Sequence, residues 1–92
     1  MNRSEILDTA KQAVTVDRAA THGDAERNFG LIAAHWSAHL DVPVSALDVA
    51  VMMALLKLAR IKSNPENADS FVDVCGYAAC GGEIATAERS AA

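Results

Sequence analysis

A run of sixteen residues, Ala46 to Ile61 (ALDVAVMMALLKLARI), contains only three polar side chains: Asp48, Lys57 and Arg60. Ser45, with Asp48 three residues on, is a variant of the capping box, so a helix is predicted from Ser45 to about Lys62. A helix that is apolar nearly all round must be covered on most sides. A chain of 92 residues supplies few neighbours to do that. The expectation is therefore a central third helix whose remaining surface is closed by another subunit. The same run is broken by Lys57 and Arg60 and is too short to span a bilayer, so no membrane partner is expected.

Three further helices are predicted around it, with no convincing strand. The first spans about Ser4–Val14, capped by Ser4, with Ile6, Leu7, Ala10 and Ala13/Val14 at helical spacing. A junction, TVDRAATHG, follows; Thr15 and Val16 weaken helix propensity there and Gly23 permits a positive φ. The second runs from near Asp24 to near Leu40 and buries Phe29, Ile32, Ala33, Trp36 and Leu40. Pro43 blocks its continuation. The fourth restarts at SNPEN, with Asn64 as cap and Pro65 in the first turn, and runs to about Ala79 or on past Gly81–Gly82. The expected fold class is all-α: a compact, oligomeric bundle of about four helices. It forms a single domain, 1–92, frayed at 1–3 and from about 86 to 92.

Composition agrees with this reading. Hydrophobic residues make up 51% of the chain and charged residues 22%, which is ordinary for a globular protein. Alanine is abundant and only Phe29, Trp36, Phe71 and Tyr77 are aromatic, so close packing through small side chains is expected. The net charge of −4 argues against a basic nucleic-acid-binding surface. The N-terminus lacks the apolar stretch of a signal peptide, and a cytoplasmic location is expected. Cys75 and Cys80 stand about 140° apart on a helix, so they cannot bridge each other, and they read as small hydrophobes.

Four polar constellations could carry chemistry. In DRAATHGDAERNF, His22, Gly23 and Asp24 precede a helix N-terminus, where free N–H groups and the dipole attract anions. Arg18, one turn from His22, adds positive charge. The structural alternative has Asp24 capping, Gly23 turning and Arg18 paired with Asp17 or Asp24. Lys57 and Arg60, with Lys62 beyond, interrupt the apolar helix near its C-terminus, where the dipole favours cations. They either mark a solvent edge or await an anionic partner. Asp69, Asp73 and Tyr77 recur every four residues on one side of the fourth helix, with Glu66 one turn earlier. Two carboxylates so placed repel unless a cation lies between them: Mg²⁺, or Lys57 or Arg60 from the antiparallel neighbour. His35 and His39 share a face, but no third metal ligand lies nearby in sequence, so they read as surface histidines.

Taken in order, RAATHGDAERNF, the single tryptophan, DVAVMMALLKLARI and NADSFVDVCGYAA resemble a family of small bacteriophage and prophage proteins catalogued as a domain of unknown function. The resemblance covers about residues 5–85 and implies no established activity. A looser similarity points to MazG-like, all-α nucleoside triphosphate pyrophosphohydrolases, which usually oligomerise and hold Mg²⁺ on helix-borne carboxylates. Of their paired motif, E-x-x-E followed by E-x-x-D, Glu66 and Asp69 match the second half and the first is missing.

Three functional readings follow. The leading one is a phage-type accessory protein that binds a nucleotide or nucleotide-derived signal without turnover, withdrawing a host defence signal in the bacterial cytoplasm. Arg18 and His22 would meet one phosphate region and Lys57 and Arg60 another; Asp24 joins the ligand-binding set, although as a cap it competes with a bound anion. Tyr77 would meet the base or ribose, and Asp69 and Asp73 would fix the cations. No cofactor is firmly implied, and Mg²⁺ is the one the carboxylates would admit. The second is a Mg²⁺-dependent nucleotide pyrophosphohydrolase, with Glu66, Asp69 and Asp73 on the metal. The third is a helical protein–protein interaction module, with the third helix as its docking or homo-oligomer face.

Overall fold

A computed structural model describes residues 1–17 and 25–91. Among these residues the chain forms four α-helices and no strand: α1 (Arg3–Gln12), α2 (Ala25–Leu40), α3 (Ala46–Ser63) and α4 (Ala68–Ala91). A π-helical turn, Ala13–Asp17, continues α1. It falls where Thr15 and Val16 lower helix propensity. The Thr15 hydroxyl donates to the Lys11 carbonyl at 2.6 Å, one way a β-branched residue is accommodated in a widened turn.

Local chemistry explains most boundaries. The predicted box at α3 is present: Asp48 N–H donates to Ser45 Oγ at 3.0 Å, and Ser45 N–H donates to Asp48 Oδ2 at 2.9 Å. α1 is capped by Asn2 instead of Ser4. Glu5 N–H donates to Asn2 Oδ1 at 2.8 Å, and Asn2 N–H donates back to Glu5 Oε1 at 3.2 Å. Only Asn2 has an acid three residues on to complete a reciprocal box. α2 ends in a left-handed residue, Asp41 (φ 57°), two positions before Pro43. The Ser37 hydroxyl then clasps the connection: it accepts from Val44 N–H at 2.8 Å and donates to Val44 C=O at 3.2 Å.

The fourth helix departs from expectation at its start, and at its end takes the longer of the two expected courses. It starts at Ala68, not at Pro65, because Asn67 takes over as the capping side chain, its Oδ1 accepting from Asp69 N–H at 3.1 Å. Residues 64–67 become the connection. The helix also runs through Gly81 and Gly82 to Ala91. Two glycines cost a helix interior about 1 kcal/mol each. Packing offsets that cost at Gly81, which is buried against α3: a Cβ there would stand 3.2 Å from Ala50 Cβ. At 1.5 Å per residue α4 is about 36 Å long, close to the 38 Å longest dimension of the molecule.

The core lies between α2, α3 and α4. Phe29 and Val49 are its fully buried side chains, joined by Ala33, Ala50, Cys80 and Ile84. Along α4 the buried residues Val72, Gly76, Cys80 and Ile84 repeat every fourth position, with Gly81 beside them. Small side chains let the helices approach closely, as the alanine-rich composition implied. Val14, on the π turn, reaches within 3.1 Å of where a Gly76 Cβ would lie. Neither Cys75 nor Cys80 forms a disulfide; Cys80 is buried and Cys75 half-buried. Of the face predicted for α2, Phe29 and Ala33 are buried, Ile32 and Trp36 half-buried, and Leu40 is exposed.

Among the described residues the third helix is covered on one side. Its Val49, Ala50, Met53 and Leu47 meet the core. Val51, Met52, Leu55, Leu56 and Leu58 are 41–57% exposed. A helix with apolar residues on every face has thus been given neighbours on one.

Candidate functional site

Helices α3 and α4 are joined by four residues, which forces them to lie antiparallel. Lys57 therefore faces Asp73 and Ala50 faces Gly81. Lys57 Nζ stands 2.9 Å from Asp73 Oδ2. The Lys57 side chain is 17% exposed and that of Asp73 41%, so the cation is the more sheltered partner. The sequence expectation that Lys57 and Arg60 lie near Asp69 and Asp73 holds.

Around this pair lies a depression of about 400 Å³ at the α3–α4 end of the bundle. Lys57, Arg60, Ser63, Asn64, Asn67, Asp69, Ser70 and Asp73 line it, and all are polar. Its floor is built by the connection itself. Asn64 N–H donates to Arg60 C=O at 2.9 Å, Asn67 N–H to Asn64 C=O at 3.2 Å, and Ser70 N–H to Asn67 C=O at 3.3 Å. Those bonds occupy backbone groups and leave the Asn64 carboxamide facing the depression unengaged by described residues. Arg60 forms no ion pair with a described residue. Ser70 is only 5% exposed, yet its hydroxyl has no hydrogen-bond partner among the described residues. A buried hydroxyl without a partner costs about 1–3 kcal/mol.

The other predicted residues are placed differently. Tyr77 is not in this lining. Its ring packs against Phe29, centroids 6.1 Å apart and tilted by 37°, and it lines a separate crevice of about 60 Å³ with Val14, Gly76 and Asp73. Asp73 borders both spaces. Glu66 is exposed and does not line the depression. Among the described residues no group of three or more His, Cys, Asp or Glu side chains could hold a metal ion. Glu66, Asp69 and Asp73 are therefore not gathered as a metal site. His35 and His39 are exposed, and His39 borders an apolar hollow with Trp36, Leu40 and Met52. Arg18, His22 and Asp24 lie outside the described residues.

Sequence reading missed Ser63, Asn64, Asn67 and Ser70 as lining residues. The signal was present in SNPEN and NADS: side-chain amides and hydroxyls crowded into a tight helix connection. It also missed a cavity of about 450 Å³ between α1 with its π turn, the start of α2, and α4, where Leu7, Val14 and Ile84 meet Lys11, Glu26 and Glu83. These residues come from three distant segments, and no local pattern links them.

The described chain is thus an all-α bundle with a depression lined by polar residues where its last two helices meet. Residues 5–85 match the family described as Domain of unknown function (DUF6378), and the chain belongs to that family. Two curated relatives are phage proteins. The chain is 45% identical over 74 residues to the Gene 55 protein of Mycobacterium phage L5, covering 79% of this chain and 47% of that protein. It is 39% identical over 75 residues to the Gene 55 protein of Mycobacterium phage D29, covering 82% and 50%. The chain therefore spans about half the length of these relatives. Neither is a MazG-type protein by name, and no solved structure matches. No helix among the described residues is long and apolar enough to cross a membrane.

Proposed function

We propose that this protein is a phage-type accessory module that binds a nucleotide-class ligand without turning it over, and that the phosphate end of the ligand sits in the α3–α4 depression. The observation that carries this reading is the lining: eight polar residues around about 400 Å³, including Arg60 without an ion pair and a buried Ser70 hydroxyl without a hydrogen-bond partner among the described residues. That volume lies within the usual range of small-molecule sites, roughly 300–1,000 Å³. Arg60 supplies a planar set of donors suited to phosphate oxygens. Asn64, Asn67 and Ser70 supply neutral hydrogen bonds. The Lys57 ammonium is already committed to Asp73, so an incoming phosphate competes with that carboxylate. Held without hydrolysis, a signalling nucleotide would be withdrawn from the host.

Thermal-shift and calorimetric titration against a nucleotide panel, with inorganic phosphate and pyrophosphate alongside, tests the reading. At least one nucleotide should stabilise the protein and emerge unchanged. Arg60→Ala should weaken binding by about tenfold or more, the equivalent of one charged hydrogen bond. No stabilisation by any member at saturating ligand would defeat the proposal.

The same geometry sets an opposite expectation for Asp73→Asn. Removing the carboxylate frees Lys57 for the ligand, so affinity for a phosphate-bearing ligand should rise several-fold. Stability should fall by about 1–2 kcal/mol: Asp73 is partly exposed, but the sheltered Lys57 ammonium loses its counter-charge. Weaker binding in this variant would mean that Asp73 itself receives the ligand and that an anion is the wrong chemistry.

A further inference from the structure

The open face of α3 repeats in sevens. Asp48, Leu55 and Lys62 are seven residues apart, and so are Val51 with Leu58 and Met52 with Ala59. Residues seven apart drift only about 20° around a helix, so they form one straight stripe. Every member of that stripe is exposed. Its apolar middle is closed at one end by an acid and at the other by a base. Leu55 is the midpoint, seven positions from each.

We infer that this stripe is the contact surface for a second copy of the chain, with two α3 helices antiparallel about a two-fold axis at Leu55. In that register Leu55 meets its own counterpart. Val51 packs on the partner subunit's Ala59, and Met52 on the partner subunit's Leu58. Asp48 approaches the partner subunit's Lys62, and the symmetry repeats the pair at the other end. A parallel pairing would set Asp48 against Asp48 and Lys62 against Lys62, with the two helix dipoles aligned. The charges therefore select the antiparallel arrangement. An isologous contact of this kind closes on itself, so it yields a dimer and not a filament. It covers the half-exposed leucines that a lone chain leaves in water. The inference is independent of the ligand reading, since Lys57 faces Asp73 on the opposite side of α3.

The test uses the full chain. Sedimentation equilibrium should give a dimer. Leu55→Glu should give a monomer with unchanged helical circular dichroism, since Leu55 makes no core contact that the change would disturb. Under mild oxidation Leu55→Cys should form a covalent dimer, while Leu31→Cys, on the equally exposed surface of α2, should not. Val51→Cys should cross-link to Ala59→Cys when the two proteins are mixed, and not to itself. A monomer at the highest soluble concentration overturns the inference, as does a dimer that survives Leu55→Glu. Self-linking of Val51→Cys overturns the antiparallel register. Should Leu55→Glu fail to fold, the cysteine variants decide alone.

Discussion

Phe29→Ala is expected to destabilise this protein by about 3–5 kcal/mol, the usual loss for emptying a buried aromatic site. Phe29 is 1% exposed and sits where α2 meets α3 and α4. The substitution removes its contacts with Val49 and the other core residues and strips Tyr77 of its ring partner. The core cluster around it includes Ala33, Ala50 and Cys80, whose small side chains cannot swing in to fill the void. A domain of this length has only about 0.05–0.15 kcal/mol of stability per residue. The loss therefore takes a large part of the total. Each kcal/mol should lower the melting temperature by roughly 4–8 °C. Chemical denaturation followed by circular dichroism measures it. A loss below about 1 kcal/mol would mean that Phe29 is not a core residue in solution.

Gly81→Val and Gly82→Ala should act in opposite directions, although the two glycines are neighbours on one helix. A Cβ on Gly81 would lie 3.2 Å from Ala50 Cβ and 3.7 Å from Leu47 Cδ1. Ala50 has no rotatable side chain to move aside, so α3 and α4 must separate. Overpacking of this kind costs about 1–3 kcal/mol, and valine's two γ-carbons place it at the upper end. At Gly82 nothing lies within 4 Å of the added carbon. Gly82→Ala should therefore stabilise the helix by about 0.5–1 kcal/mol. Paired thermal melts decide. Equal effects at both positions would remove the argument that Gly81 is held for close helix contact.

Local signals carried most of the helix assignment. The Ser45–Asp48 box and Pro43 were legible because capping and ring closure act within three or four residues. Asn2 was legible too, through Glu5, but Ser4 is also a competent cap and the reciprocal acid decides between them. At the start of α4 two asparagines three positions apart compete, and the one that reaches the Asp69 N–H wins. The Lys57–Asp73 contact could be read in advance, because a four-residue connection leaves two helices no option but to run antiparallel. The shape of the depression could not. It depends on how the side chains of residues 63–70 pack in a turn, and the amides and hydroxyls that line it carry no charge pattern to announce them.

The sequence by itself determined that this chain is helical, where most of its helices begin and end, and which charges would meet across the last connection. Each of those follows from interactions spanning a few residues. Tertiary structure alone decided three things. α4 continues through two glycines because Gly81 is pressed against α3. Tyr77 turns to a phenylalanine forty-eight positions away instead of to the polar depression. The third helix, apolar nearly all round, is covered on one side by the described residues. Burial depends on which surfaces the folded chain brings together, and a helix periodicity states only that a face is apolar, not that anything in the same chain will meet it.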